Sequence, residues 1–337
     1  MIVSNSTIRG SAANKIRVLR TDLNGDVING SDRYFPGNLN QAWNVKDVLV
    51  INNQRIILGG TVGANDSLFF LEINAQLDSV QSSFYSSNME NYQLTGLSYD
   101  EGTSKIFFGG SEKEEEGEEY TIFGQINASN LSIEQPFRNS KAPALPATRI
   151  LENPNGGLIW AYNTGTSVLV RSTGRDMQQL EFSDDLRFDN ASNVDSKKLL
   201  RTTEGEIVLF GGIDRDGQTE LYSKLFFYNT TTGIKIPFGD DRPLKLNGAK
   251  QIEDGYLIAG STEVTGDEGG SHLDFYLSRR GPNGGESFSD SFGSDADEEL
   301  HDAVMINDNI YSIGSTEIGI ENTLLLIKTD KFGRLVN

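Results

Sequence analysis

Apolar residues in this chain come in short unbroken runs, not in the stripes of a helix. The most regular runs end on a pair of small residues: RIILGGT (55–61), KIFFGGS (105–111), EIVLFGGI (206–213), GYLIAGST (255–262) and NIYSIGST (309–316). GLIWAYNT (157–164) is a degenerate copy, and IVSNST (2–7) fills the same slot near the N-terminus. With Asn5, Gly59, Gly109, Tyr162, Gly211, Gly260 and Gly314 as markers, the copies recur every 49 to 54 residues. Asn replaces Gly at the first marker, and Asn is the non-Gly residue that best tolerates a left-handed backbone, so that conformation is expected there. The Gly pairs mark a place where neighbouring backbones crowd.

The pattern predicts three more strands around each marker run. A following strand is read at KIRVLRTD (15–22), SLFFLEIN (67–74), YTIFGQIN (120–127), SVLVRSTG (167–174), SKLFFYNT (223–230), LDFYLSRR (273–280) and TLLLIKTD (323–330). Most of these turn on Asn, Asp or Gly into a short last strand, as in GDVIN (25–29) and GRLVN (333–337). A leading strand precedes every marker run but the first: KDVLVIN (46–52), LTGLSYD (94–100), TRILEN (148–153), KKLLRT (197–202), AKQIED (249–254) and HDAVMIN (301–307). Four strands in about fifty residues, without helical periodicity, is the blade of a β-propeller. The expectation is therefore all-β: one β-propeller domain over residues 1–337, built of four-stranded antiparallel blades. Seven markers predict seven blades, with six as the runner-up count. The first blade is expected to lack its leading strand and the last to end on its fourth.

Composition agrees with many short strands and tight turns: 36% hydrophobic residues, 36 Gly and 8 Pro. No run of eighteen apolar residues is present, so no transmembrane helix is predicted. Met1 is followed by IVSNST, which has neither a basic n-region nor an apolar h-region, so no signal peptide is read there. The chain has no cysteine, which removes disulfides, thiolate nucleophiles and Cys-bound zinc. A cysteine-free chain rich in Asn, Ser, Thr and Gly fits an exported bacterial protein. The formal charge of −19 opposes nucleic acid and anionic membranes as partners.

The last repeat, FGSDADEELHDAVMINDNIYSIGSTEIGIENTLLLIKTDKFGRLVN (292–337), resembles the β-propeller repeats of exported bacterial proteins, Bacteroidetes-like and of the SBBP type. The residues that carry the resemblance are Phe292, Gly293, Asp302, Asn309, Ile310, Tyr311, Gly314, Thr316, Leu326, Lys328, Asp330 and Gly333. The chain departs from that pattern at Asn322-Thr323, where an Asp often opens the third strand. The resemblance implies a propeller that is secreted, periplasmic or lipid-anchored at the cell surface. It implies no single activity, because propellers host binding modules and enzymes alike. The TDKFGRLVN tail superficially resembles the docking repeat of pyrroloquinoline-quinone dehydrogenases but lacks the tryptophan after the turn; Trp43 and Trp160 are the only tryptophans.

Several motifs carry candidate chemistry. TDLNGDVINGSD (21–32) offers Asp22, Asn24 and Asp26 at alternate positions, a weak calcium pattern. Its counterpart TDKFGRLVN lacks the carboxylates, so a plain turn is the favoured reading and no cofactor is expected. The acidic stretches GSEKEEEGEEY (110–120), TGDEGG (265–270) and GSDADEEL (293–300) read as solvated loops or as patches for a basic partner. The innermost strands of a propeller line its central channel, so their starts are the place to look for a site. Those positions hold Lys46, Asp47, Thr95, Thr148, Arg149, Lys197, Lys198, Lys250, His301 and Asp302. His301 beside Asp302 could act as a base, while His272 falls in a predicted loop. The favoured function is an exported, non-catalytic, monomeric propeller that binds a protein or glycan through a loop face or the channel mouth, with Lys46, Asp47, Thr148, Arg149, Lys197, Lys198, Lys250, His301 and Asp302 as binding residues. The alternative is a hydrolase or lyase on polysaccharide, with Asp47, Asp302 and His301 as its catalytic groups.

Overall fold

The structure is a computed structural model that describes residues 1–7, 14–35, 41–52, 54–87, 89–113, 119–139, 149–152, 157–174, 180–215, 218–226, 234–238, 244–265, 270–318 and 321–336. The described residues form 26 strands, and every strand pair is antiparallel to its sequence neighbour. They build consecutive sheets spanning Ile2–Phe35, Trp43–Tyr85, Glu90–Asn139, Arg149–Arg187, Asn193–Phe238, Leu244–Phe292 and Glu298–Asp330, called here the first to the seventh sheet. Five of them have four strands in sequence order; the first and the last have three. The expectation of seven blades with a single incomplete one is thereby corrected, since only five are complete. In the last sheet the tail does not form a fourth strand. It makes a turn and one bridge, Thr329 to Leu335.

Two compact units can be distinguished: Met1–Thr164 with Leu169–Ser183, and Gly165–Val168 with Asp184–Asn337. In each, apolar layers fill the space between successive sheets. In the first unit, Ile57, Leu68, Phe70, Ile106, Phe108 and Ile122 pack between the second and third sheets. In the second unit, Val208, Phe210, Leu246, Tyr256, Ile258 and Tyr276 pack between the fifth and sixth. A strand covered on both faces needs no polar alternation, which explains the unbroken apolar runs. Arg55–Val62 is buried at seven of its eight positions, whereas the outer strand Ser79–Tyr85 has no fully buried residue. Each fully buried Leu, Ile or Phe of such a layer contributes about 1.5–3 kcal/mol.

A β-bulge recurs in the leading strands. The register skips Lys46 between Val45 and Asp47, Thr95 between Leu94 and Gly96, Lys197 between Ser196 and Lys198, Asn247 between Leu246 and Gly248, and His301 between Leu300 and Asp302. The residue before each bulge pairs with Gly60, Gly110, Gly211, Gly260 or Gly314. In the second and third sheets this is the second glycine of the pair, one residue after the sequence marker. Crowding is the reason for glycine. A Cβ at Gly60, Gly110, Gly260 or Gly314 would come within 3.0 Å of the carbonyl oxygen of Asn44, Gln93, Lys245 or Glu299, in each case two residues before the bulge. None of these glycines has a positive φ. Asn5 is not left-handed either. It lies in the strand Ile2–Thr7, and its side-chain amide binds both main-chain groups of Val45, accepting from N at 2.6 Å and donating to O at 3.0 Å.

Candidate functional site

Lys46, Asp47, Thr95, Lys197, Lys198, His301 and Asp302, expected at the starts of the leading strands, lie at or beside the bulges instead, whereas Lys250 lies three residues beyond the bulged Asn247. The strands begin three to five residues earlier than the alternation predicts, at Trp43, Glu90, Asn193, Leu244 and Glu298. A bulge inserts one residue and reverses the in–out order, so the alternation is legible only on one side of it.

In the first unit, Lys46 is the bulged residue and is exposed. Asp47 follows it and turns back into the scaffold. Its Oδ1 accepts from Val48 N at 2.9 Å and its Oδ2 from Leu97 N, on the next leading strand, at 2.7 Å. Thr95 Oγ donates to Gly109 O at 3.0 Å. Arg149 opens the strand Arg149–Glu152, and Thr148 lies outside the described residues.

In the second unit, Lys197 is bulged and ion-paired with Asp195, and Lys198 is half-buried beside it. Asp302 accepts from Ala303 N at 2.9 Å and pairs with Lys250 at 3.1 Å. Both side chains of that ion pair are about half exposed, so the pair itself contributes little. His301 and Asp302 do not pair. The His301 ring lies 2.9 Å from Ser315 Oγ through Nε2. Lost hydration lowers its pKa below the ordinary histidine value, against an upward pull from Glu299 and with a downward push from Lys245.

The other motifs resolve differently. Asp22 Oδ1 accepts from the N–H groups of Asn24 at 2.8 Å and Asp26 at 3.0 Å, with Gly25 at φ +92° closing the turn. Asp330 makes the same two bonds, to Phe332 N at 2.9 Å and Arg334 N at 3.0 Å, with Gly333 at φ +83°. The matching turns confirm the repeat at atomic detail. Two glutamates of the acidic stretches are buried rather than solvated. Glu112 accepts from Ser87 Oγ at 3.0 Å, and Glu298 accepts from Ser294 N at 2.9 Å and Ser294 Oγ at 2.8 Å. Residues 114–118 and 266–269 lie outside the described residues. His272 belongs to the strand Ser271–Arg280, not to a loop, and its Nε2 is 3.2 Å from Asp274 Oδ1.

Sequence reasoning passed over a cavity of about 330 Å³ in the second unit, at the turns of the fifth and sixth sheets. Glu204 and Glu206 from one turn, Gln251 from the end of the strand Leu244–Ile252, Glu253 and Asp254 from the turn after it, and Tyr256 from the next strand line it. Gln251 joins the first two turns, accepting from Thr203 N at 2.8 Å. Donors surround the Glu204 carboxylate: its own main-chain N–H, then the side chains of Thr203, Thr202 and Gln251, and these hold its pKa below the usual carboxylate range. Tyr256 is held above the ordinary phenol value by burial and by Glu206 and Glu204. The sequence signal was the pair of acidic turns TTEGE and EDGY, which by themselves look like any hairpin tip.

No protein-family model matches the chain, and no curated protein matches it by sequence. Among solved structures, the Pseudomonas aeruginosa periplasmic gluconolactonase PpgL is similar with a TM-score of 0.57 at 10% identity, over 99% of this chain and 97% of that one. The Dos1 propeller is similar with a TM-score of 0.50 at 12% identity, over 95% of this chain and 75% of that one. The fold is a β-propeller. Its blades are four-stranded and antiparallel, with the first and the last showing three strands among the described residues. The Trypanosoma rangeli sialidase also matches, with a TM-score of 0.48 at 10% identity over 92% of this chain; the chain spans only 56% of that enzyme's length. At these identities the likenesses speak for the propeller fold alone.

Proposed function

We propose that this chain is an exported, non-catalytic β-propeller that binds a protein or glycan ligand. One observation carries the reading. Asp47 and Asp302, the carboxylates a glycosidase reading would use, are each engaged by main-chain N–H groups, and Asp302 is further paired with Lys250. A carboxylate held this way serves the bulge and is poorly placed to take up a proton or attack a sugar. Lys46, exposed at its bulge, and Lys198, half-buried on the leading strand of the fifth sheet, leave cationic groups for ligand contact. Export is supported by the cysteine-free composition and by the resemblance to exported repeat proteins.

The test compares wild type with Asp47→Asn and Asp302→Asn. Each protein is screened for binding on a glycan array and for hydrolysis or elimination on a polysaccharide panel. The expected result is saturable binding without turnover in wild type. Turnover by wild type that falls in either variant at unchanged melting temperature would overturn the proposal and establish the hydrolase or lyase alternative.

A further inference from the structure

We infer that the cavity at the turns of the fifth and sixth sheets is a binding site for an organic cation, an ammonium or guanidinium group on an aliphatic stem. This goes beyond the scaffold reading and uses none of the leading-strand residues above.

Three observations point the same way. The first is charge. Of the four carboxylates lining the cavity, Asp254 is neutralised by Arg279 at 2.5 Å, which leaves Glu204, Glu206 and Glu253 as net negative charge. The second is an unsatisfied hydroxyl. Tyr256 is 8% exposed and lines the cavity, and its hydroxyl makes no hydrogen bond among the described residues. That free hydroxyl offers a bound group one donor and an acceptor oxygen. A phenol is protonated at neutral pH, so this hydroxyl can donate to a carboxylate while accepting from an N–H of the cation. The third is shape. A volume of about 330 Å³ far exceeds a bare metal ion, and Val208, Pro282 and the Tyr256 ring supply apolar wall for a methylene stem.

The same chemistry can arrive as a lysine or arginine side chain of a peptide or as a free polyamine. Isothermal titration calorimetry of the full chain separates the two. One arm uses spermidine; the other uses a capped dilysine peptide, with its Nε-acetylated form as the uncharged control. One arm is expected to show saturable one-to-one binding that persists at 150 mM salt, and the arm that binds identifies the source. Tyr256→Phe keeps the ring packed on Phe210, 5.1 Å away, and Glu206→Gln leaves the main-chain bond to Thr202 intact. Each is expected to weaken binding about tenfold or more, the loss expected for one hydrogen bond to a charged group. Absence of saturable binding in both arms would overturn the inference. So would binding that both variants retain, which would mark general attraction to an acidic surface. Chemical denaturation of each variant, matched to wild type, guards against loss through misfolding.

Discussion

Replacing Gly60 with alanine places a Cβ against two fixed objects. One is the carbonyl oxygen of Asn44, two residues before the Lys46 bulge; the other is Phe69 Cε1 at 2.8 Å. Neither is the free end of a flexible side chain. Phe69 is fully buried and stacks on Trp43 with ring centroids 4.5 Å apart, and Asn44 O lies on a strand held by its ladder. Overpacking of this kind costs about 1–3 kcal/mol, and a main-chain obstacle puts Gly60→Ala at the upper end of that range. Gly285→Ala is the control, because nothing lies within 4 Å of its Cβ position and its φ is not in the left-handed region. The control is expected within about 0.5 kcal/mol of wild type. The assay is urea unfolding followed by tryptophan fluorescence, since Trp43 sits beside the altered contact. An unchanged midpoint and an unchanged Trp43 signal in Gly60→Ala would refute the argument that the bulge imposes glycine on its partner strand.

Two further outcomes follow from the charged groups. Glu72 is buried, binds Arg55 in a two-pronged pair at 2.7 and 2.8 Å, and accepts from Gln81 at 2.6 Å; the Arg55 hydrogen bonds are the chief cause of its lowered pKa. Glu72→Gln should cost about 2–3 kcal/mol at pH 7, less than the loss of a fully buried pair because the Arg55 side chain is 32% exposed. A depressed carboxylate pKa stabilises the fold above the unfolded value of about 4.3 and loses that effect as pH falls through the folded value. The gap in melting temperature between wild type and Glu72→Gln should therefore shrink from pH 7 to pH 3, and a constant gap would contradict this account. At the Asp22 turn, Oδ1 is already committed to two main-chain N–H groups, so millimolar calcium is expected to leave the melting temperature unchanged; a saturable rise abolished by Asp22→Ala would make it a metal site instead.

The repeat, the strand order and the sheet type were legible in the sequence, because strands sandwiched between sheets must be apolar throughout. The matching ends, with Asp22 and Asp330 opening turns of the same hydrogen-bond pattern, show that local chemistry was read correctly. The leading strands were found but misplaced. Their predicted starts at 46, 94, 197, 249 and 301 fall within two residues of Lys46, Thr95, Lys197, Asn247 and His301, the bulged residues. Alternation breaks at a bulge, so the sequence signal marked the irregularity and not the end of the strand.

What the tertiary structure alone decided is which groups face each other. Asp47 meets Leu97 N on the next sheet, Glu112 meets Ser87, and Tyr256 shares a cavity with Glu204 and Glu206. Those partners lie 50 residues apart in both the first case and, from Glu206 to Tyr256, the last, and no local pattern encodes them. The chain by itself determined that about fifty residues make one sheet. How one sheet packs on the next settled which carboxylates brace the scaffold and which are left to meet a ligand, because burial and hydrogen-bond geometry exist only once the sheets are stacked.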